Sequence, residues 1–494
     1  MRARAFLLGA LMLAATPTAA TAEPGLQEVL LVGNNWAGTA DVLASTGDFH
    51  RIGRIDVVPD KDERLREIYL NPVRLAFFLG IRETVGEGHD QFVDDMYSTP
   101  DGSAIVVSRP SFADVVSIDT GTGAINWRFP VSGFRADHMA VSPDGLRVAV
   151  SASTSNRVHV LDIRTGAELG SFATGDKPHE NVFSADGRYL WNMSIGEVNN
   201  DLDAPFLDPL KGDRRITVVD ATTFQQVRII DMRPRLDAFG TDHSDAVRPV
   251  AFSPDESVLY FQVSFFNGFF EYDVPGDRIT RVKTLPENPA TSDDRTTFVN
   301  DSRHHGLSMN PAGTKLCVAG TMDDYATVVD RATLREGPLV TASKPYWATV
   351  SGDGAACVIS ESGTDQVTAI DFATGQKITS VPVGDHPQRV RLAHLPAGWT
   401  GALTGQVFLR RAVAERGGAA RIRSRTPLRM PLSVVRSRRD SPSNSIVRTT
   451  STWPGRTRFT MSRPASVIVT VTLRSSSWDW RRVTSPALSS SPAW

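Results

Sequence analysis

One short turn recurs along this chain at a spacing near forty residues. "TPDG" (99–102), "SPDG" (142–145), "SADG" (184–187), "SPDE" (253–256), "NPAG" (310–313) and "SGDG" (351–354) are turn signals of one kind. Their second residues fall at 100, 143, 185, 254, 311 and 352, with gaps of 43, 42, 69, 57 and 41 residues. Two units therefore carry insertions and the others are regular. A period of this length commits a chain to repeated copies of one small unit, because a single copy cannot bury its own apolar face.

Residues 138–174 show how each copy is built. "HMAVS" reads as a short strand and "PDG" turns it; "RVAVSAS" and "RVHVLDI" are a second and a third strand; "RTG" turns again into "AELGSFAT". Alternation over short runs bounded by Gly, Pro, Asp and Asn is the mark of half-buried strands. The third strand ends on an aspartate in every copy: Asp119, Asp162, Asp220, Asp273, Asp330 and Asp371. Four strands per unit indicate an all-β fold, a β-propeller of antiparallel blades. Six turn anchors predict six blades, and the two chain ends complement each other to make a seventh. "HPQRVRLAHL" (386–395) is a first strand with nothing after it, whereas "EVLLVGNN", "ADVLAS" and "FHRIGRIDVV" within 28–58 are later strands with no first. Joining them seals the ring and removes the free edges that invite aggregation.

"GDKPHENVFSADGRYLW" and "GDHPQRVRL" resemble the YVTN-type seven-bladed propellers, which group with the propellers of quinoprotein amine dehydrogenase β-chains and nitrous oxide reductase. The resemblance covers roughly 28–395 and implies the fold. It implies no single function, since such propellers host many unrelated sites. Residues 60–89 interrupt the pattern: "KDERLREIYL" and "NPVRLAFFLGI" predict two short helices, the second capped by Asn71 with Pro72 at its first position. Further insertions fall at 195–215, 232–247 and 286–304.

The chain start reads as a secretory signal peptide over 1–22. Arg2 and Arg4 precede an apolar run from Ala5 to Ala15, and "ATA" (20–22) fits a cleavage site. The expectation is a secreted, extracytoplasmic protein with no transmembrane segment, since the apolar run is too short to span a bilayer. Residues 402–494 differ in kind. They hold 17 Arg, no Lys and 3 acidic residues, a net of +14, which leaves −16 on residues 1–401. This Arg/Ser/Pro-rich tail reads either as a basic arm or as a C-terminus translated in a shifted frame, and little order is expected in it. The acidic body argues against nucleic acid as a partner of the propeller. The expected partners are a small molecule or another secreted protein, and the expected state is a monomer. Cys317 and Cys357 are the only cysteines. They fall on second strands of neighbouring blades, where two buried thiols are expected because offset strands rarely meet disulfide geometry.

In a propeller the first strand of each blade lines the central channel, and its start lies on the face opposite the "PDG" turns. Six residues before the second residue of each turn stand Asp94, Asp137, His179, Arg248, His305 and Tyr346. Five before stand Asp95, His138, Glu180, Pro249, Gly306 and Trp347, and matching Pro387 to Pro178 adds Gln388 and Arg389 for the closing blade. His89, His243, His304 and His386 lie in the approaches, while Trp36, Phe112, Phe265, Phe266 and Tyr325 occupy loops on the same face. Polar convergence under aromatic walls suits a small-ligand site.

Three readings of this rim stand side by side. The residues can satisfy loop backbone and channel water. His138, His179, His305 and the neighbouring His304 can bind a metal such as copper or zinc. Asp95, Asp137, Glu180, Arg248, Tyr346, Trp347 and Arg389 can hold a small polar or anionic ligand without metal. A histidine ring on inner strands is similar to the copper cluster of nitrous oxide reductase, although the second copper domain of that family has no counterpart here. Lactone hydrolysis by related propellers also keeps an enzyme reading open, as a metal-dependent oxidoreductase or a lactonase-like hydrolase.

Overall fold

The computed structural model describes residues 25–198 and 205–401. The expected signal peptide and the Arg-rich tail lie outside the described residues. The chain forms seven four-stranded antiparallel sheets. Six are built from consecutive strands. The seventh pairs Pro387–Pro396 with Leu26–Asn34, so that the last described strand becomes the inner strand of the first blade. Leu30 lies opposite Leu392 and Val32 opposite Val390 in that ladder. The seam expected between the two ends of the repeat is therefore a continuous sheet. No helix of the described residues is long and apolar enough to cross a membrane.

Burial follows strand order within each blade. Second strands such as Ala104–Arg109 are buried at every position, because both faces of the sheet are covered by the neighbouring blades. Outer strands such as Lys377–Pro382 are largely exposed and carry polar residues. Apolar clusters lie between blades: Val106, Val115, Val148 and Val150 join the second and third, and Leu30, Val32, Val358 and Val367 join the last to the first. Each such side chain, when fully buried, contributes about 1.5–3 kcal/mol.

The turn chemistry explains the repeat. The fourth residue of all six "PDG"-type turns is left-handed: Gly102, Gly145, Gly187, Gly313 and Gly354 have φ between 66° and 71°, and Glu256 adopts 54°. Glycine takes that conformation without a Cβ clash, so five of six copies use it. At the neighbouring turn on the same face, between third and fourth strands, the strand-ending aspartate accepts from a threonine amide three residues on. The distances are 2.7 Å for Asp119–Thr122, 2.8 Å for Asp162–Thr165 and 2.7 Å for Asp371–Thr374.

The insertion after the first blade forms two helices, α1 (Lys61–Tyr69) and α2 (Pro72–Glu83). Asn71 Oδ1 accepts from Val73 N and Arg74 N at 3.1 Å, and Pro72 opens α2 where its missing N–H costs nothing. Phe78 and Ile68 bury into the first-blade core. Buried Arg109 ties the start of the insertion to the ring by pairing with Asp60 and Asp114.

The cysteine expectation is corrected. Cys317 and Cys357 form a disulfide, with Cα atoms 5.9 Å apart. Neighbouring second strands converge closely enough at this depth to place the two Cα atoms within the usual disulfide range. The "FFNGFF" segment packs inward: Phe266, Phe269 and Phe270 are all buried.

Candidate functional site

Five of the seven inner strands carry one extra residue at the end where the site residues stand. Ala136 to Met139 is matched by only Ala152 to Val150, Pro178 to Asn181 by Ser194 to Asn192, and Val247 to Val250 by Val263 to Phe261. Pro345 to Trp347 is matched by Glu361 to Ser360, and Pro387 to Val390 by Asn34 to Val32. In the other two blades the inner ladder begins only at Met96 and Leu307. In an unbroken strand consecutive side chains face opposite sides; a bulge re-aims them. Asp137 with His138, and His179 with Glu180, are released in this way as pairs.

The result is a compact buried cluster. The His138 and His179 rings have centroids 3.6 Å apart, and His179 Nε2 lies 3.4 Å from His305 Nε2. Asp137 Oδ1 is 3.5 Å from both His138 Nε2 and His179 Nδ1. Ligand atoms of Asp137, His138 and His179 all fall within 4.8 Å of one another, the one such group of three or more found among the described residues. Glu180 Oε2 stands 3.0 Å from His138 Nδ1 on the other side of that ring. Arg389 Nη2 presses on the same ring, and its guanidinium lies 3.9 Å from the Trp347 centroid. Tyr346 lies against His305, with centroids 4.4 Å apart.

A small cavity of about 30 Å³ opens at this cluster, walled by Asp94, Asp137, His138, His179, Arg248 and His305. The Arg248 guanidinium donates to Asn300 O and Ser264 Oγ, and to Ser302 Oγ at 3.2 Å. Asp94 Oδ2 is buried with no hydrogen-bond partner among the described residues. Arg389 Nε and Nη1, behind His138, also have none.

The predicted residues divide by placement. Asp137, His138, His179, Arg248, His305 and Tyr346 share the cavity. Glu180, Trp347 and Arg389 form the layer behind His138. Asp95 is engaged elsewhere: Arg391 grips it at 2.8 and 2.7 Å, and it accepts from Met139 N at 3.1 Å. His304 points away from His305. Its Nε2 meets Asp323 Oδ2 at 3.0 Å, and Arg303 holds the same carboxylate. Both histidines precede the ladder of their blade, and the pairing with Asp323 draws His304 to the other side. His89 and His386 stack on the two faces of Trp36, at 3.7 and 3.8 Å. Arg135, Gln91, Val85 and Ile195 line the cavity without having been singled out from the sequence. Arg135 stands two residues before Asp137 and pairs with it. That proximity was readable in the sequence; the direction of the side chain was not.

Burial sets the electrostatics. It pushes Asp94 up to about 7, helped by the charges of Asp137 and Asp95. Glu180 is likewise raised to about 7 by burial, with Asp95 and Asp137 adding to it. Burial acts the same way on Asp137, but Arg135 and His179 outweigh it and hold that carboxyl at about 2. His179 is lowered to about 4 by burial, against the pull of Asp137. His138 and His305 are pushed well below the usual imidazole range by burial and by Arg389. At neutral pH the site thus presents three neutral imidazoles, an ionised Asp137 and two half-protonated carboxyls.

A second, larger chamber adjoins the first. It has a volume of about 420 Å³ and lies between α2 and the third and fourth blades. Phe77, Ile81 and Val85 line it on one stripe of i, i+4 spacing, with Ile195 among its other walls. Val85, Arg135, Asp137, Ile195 and Val198 belong to both chambers.

No family model and no curated protein matches the chain. Among solved structures it is similar to a chain of Kuenenia stuttgartiensis hydrazine synthase, at 17% identity and a TM-score of 0.47, over 62% of this chain and 96% of that chain. The seven-bladed assignment rests on the strand pairing described above.

Proposed function

We propose that this chain is an exported, monomeric propeller of the YVTN type that binds a small ligand through a polar group at the His/Asp/Arg channel mouth. The observation that carries the reading is the convergence of buried, incompletely bonded polar groups from different blades on one cavity. Leaving a buried polar atom without a partner costs about 1–3 kcal/mol, so such an arrangement is retained where a ligand completes it. Neutral imidazoles and the partly protonated Asp94 offer donors, which favours a ligand group rich in acceptors. The buried disulfide and the signal-like start support export.

The experiment follows the histidines directly. In protein with labelled imidazoles, short carboxylates such as acetate and butyrate should shift the His179 and His305 signals saturably. His179→Ala should abolish the response. A carboxylate and oxyanion series that leaves both signals unmoved would sink the reading.

A second reading is favoured by the Asp137, His138 and His179 group. Neutral imidazoles and an ionised carboxylate are the donor set of a copper or zinc site. Bound there, the metal would supply a Lewis acid or a redox centre, for an oxidoreductase or a lactonase-like hydrolase. Asp137 and His179 would hold it, with His305 adjacent. His138 could join only if Arg389 moved off its ring. Near-stoichiometric zinc or copper in protein purified without a histidine tag, lost in the His138→Ala/His305→Ala double variant, is the result this reading requires.

A further inference from the structure

The chamber beside α2 differs in character from the cavity it joins. One wall is Phe77 and Ile81 of α2 with Val85 just past the helix end, and its inner end carries Arg135 and Asp137. Gly80 lies on the same wall, and a side chain built there would meet nothing within 4 Å. The other side of α2 is anchored, with Phe78 in the first-blade core. Phe77 stacks on Phe134 at 4.0 Å, and Glu87 meets Lys344 at 2.7 Å beyond the end of the helix. The wall is therefore fixed before any ligand arrives. An apolar corridor leading to a set of hydrogen-bond donors is complementary to a molecule that is apolar at one end and acidic at the other.

We infer that the outer chamber is an acyl-chain subsite: the ligand is a single-chain amphiphile, with a carboxylate head among His179, His305 and Arg248 and a straight apolar tail along Phe77, Ile81 and Val85. This rests on the reading of the channel mouth as a small-ligand site. Charge complementarity selects the head, because Arg135, Lys177, Arg248 and Arg389 together outweigh the Asp137 and Glu197 carboxylates around the junction. The two chambers share Val85, Arg135, Asp137, Ile195 and Val198 in their walls, and that adjacency selects a tail attached to that head. The chamber's volume of about 420 Å³ falls within the range for small-molecule sites and admits such a chain.

Calorimetry with butyrate and decanoate tests this on the full chain. Decanoate should bind at least ~30-fold tighter than butyrate, because the added methylenes leave water. Gly80→Trp fills the corridor from a helix position with open space, and should bring decanoate down to the affinity of butyrate while leaving butyrate binding and Tm unchanged. Leu79→Trp, on a helix position outside the chamber wall, should leave both affinities as they were. Equal binding of the two acids by the unaltered protein, or tight decanoate binding that survives Gly80→Trp, overturns the acyl-chain subsite while the head-group site stands. Binding of neither acid overturns the subsite, and the histidine signals then decide separately whether the head-group site stands with it.

Discussion

His179 and His305 bring their Nε2 atoms to 3.4 Å from each other although 126 residues separate them in the chain. Each sits at the start of an inner strand, in different blades. Two imidazoles this close and this buried stay neutral at physiological pH, and one of the pair can donate while the other accepts. A double-mutant cycle on His179→Ala and His305→Ala should therefore show coupling of about 0.5–3 kcal/mol in ligand affinity. Simple additivity would mean that the two rings act independently.

The pH dependence of binding separates the two functional readings. Asp94 and Glu180 have folded-state values of about 7, above their ordinary 3.8 and 4.5. Both are protonated in folded and unfolded chains below about pH 4, and their ionisation in the folded state is complete only above about pH 8. They therefore lower fold stability progressively as pH rises from about 4 to about 7. A carboxylate ligand should bind more tightly as pH falls from 8 to 6, and Asp94→Asn should flatten that profile. Zinc or copper affinity should move the opposite way, because ionisation of Asp94 and Glu180 adds negative charge beside a bound cation.

His304 should matter for stability alone. It is fully buried against Asp323, which also holds Arg303. His304→Ala should cost about 1–3 kcal/mol in chemical denaturation by leaving part of that carboxylate unbonded. The His179 and His305 signals should still respond to acetate with the unaltered affinity. A lost response would place His304 in the site.

The disulfide closes a long loop between adjacent blades. Replacing both Cys317 and Cys357 by Ala should lower unfolding free energy by about 2–4 kcal/mol. Alkylation of the unfolded, unreduced protein should label neither sulfur. Two labelled thiols would restore the expectation drawn from strand offset.

Ring closure should be all or none. A chain ending at Asp385 lacks Pro387–Pro396 and exposes the whole edge of Leu26–Asn34. It should lose cooperative unfolding and aggregate, whereas a chain ending at Gly401 should keep a single transition.

The repeat, the blade count and the seam between the chain ends were all legible in the sequence, because turn chemistry is local. A left-handed fourth residue calls for Gly, and a strand-ending Asp finds its threonine three residues later, so both leave marks at fixed spacing. Counting back from those marks also located Asp137, His138, His179, Arg248 and His305. The sequence could not decide which of the marked side chains would meet. The extra residue in five inner strands turns Asp137 and His138 to the same side, Asp323 draws His304 away from His305, and Arg391 draws Asp95 out of the cavity. Each outcome depends on how one blade registers against its neighbour. The same holds for the two cysteines and for α2, whose apolar stripe became a chamber wall once the ring set Ile195 within its reach. Local chemistry fixed where each blade turns; the packing of blades around a common axis settled which buried groups face one another.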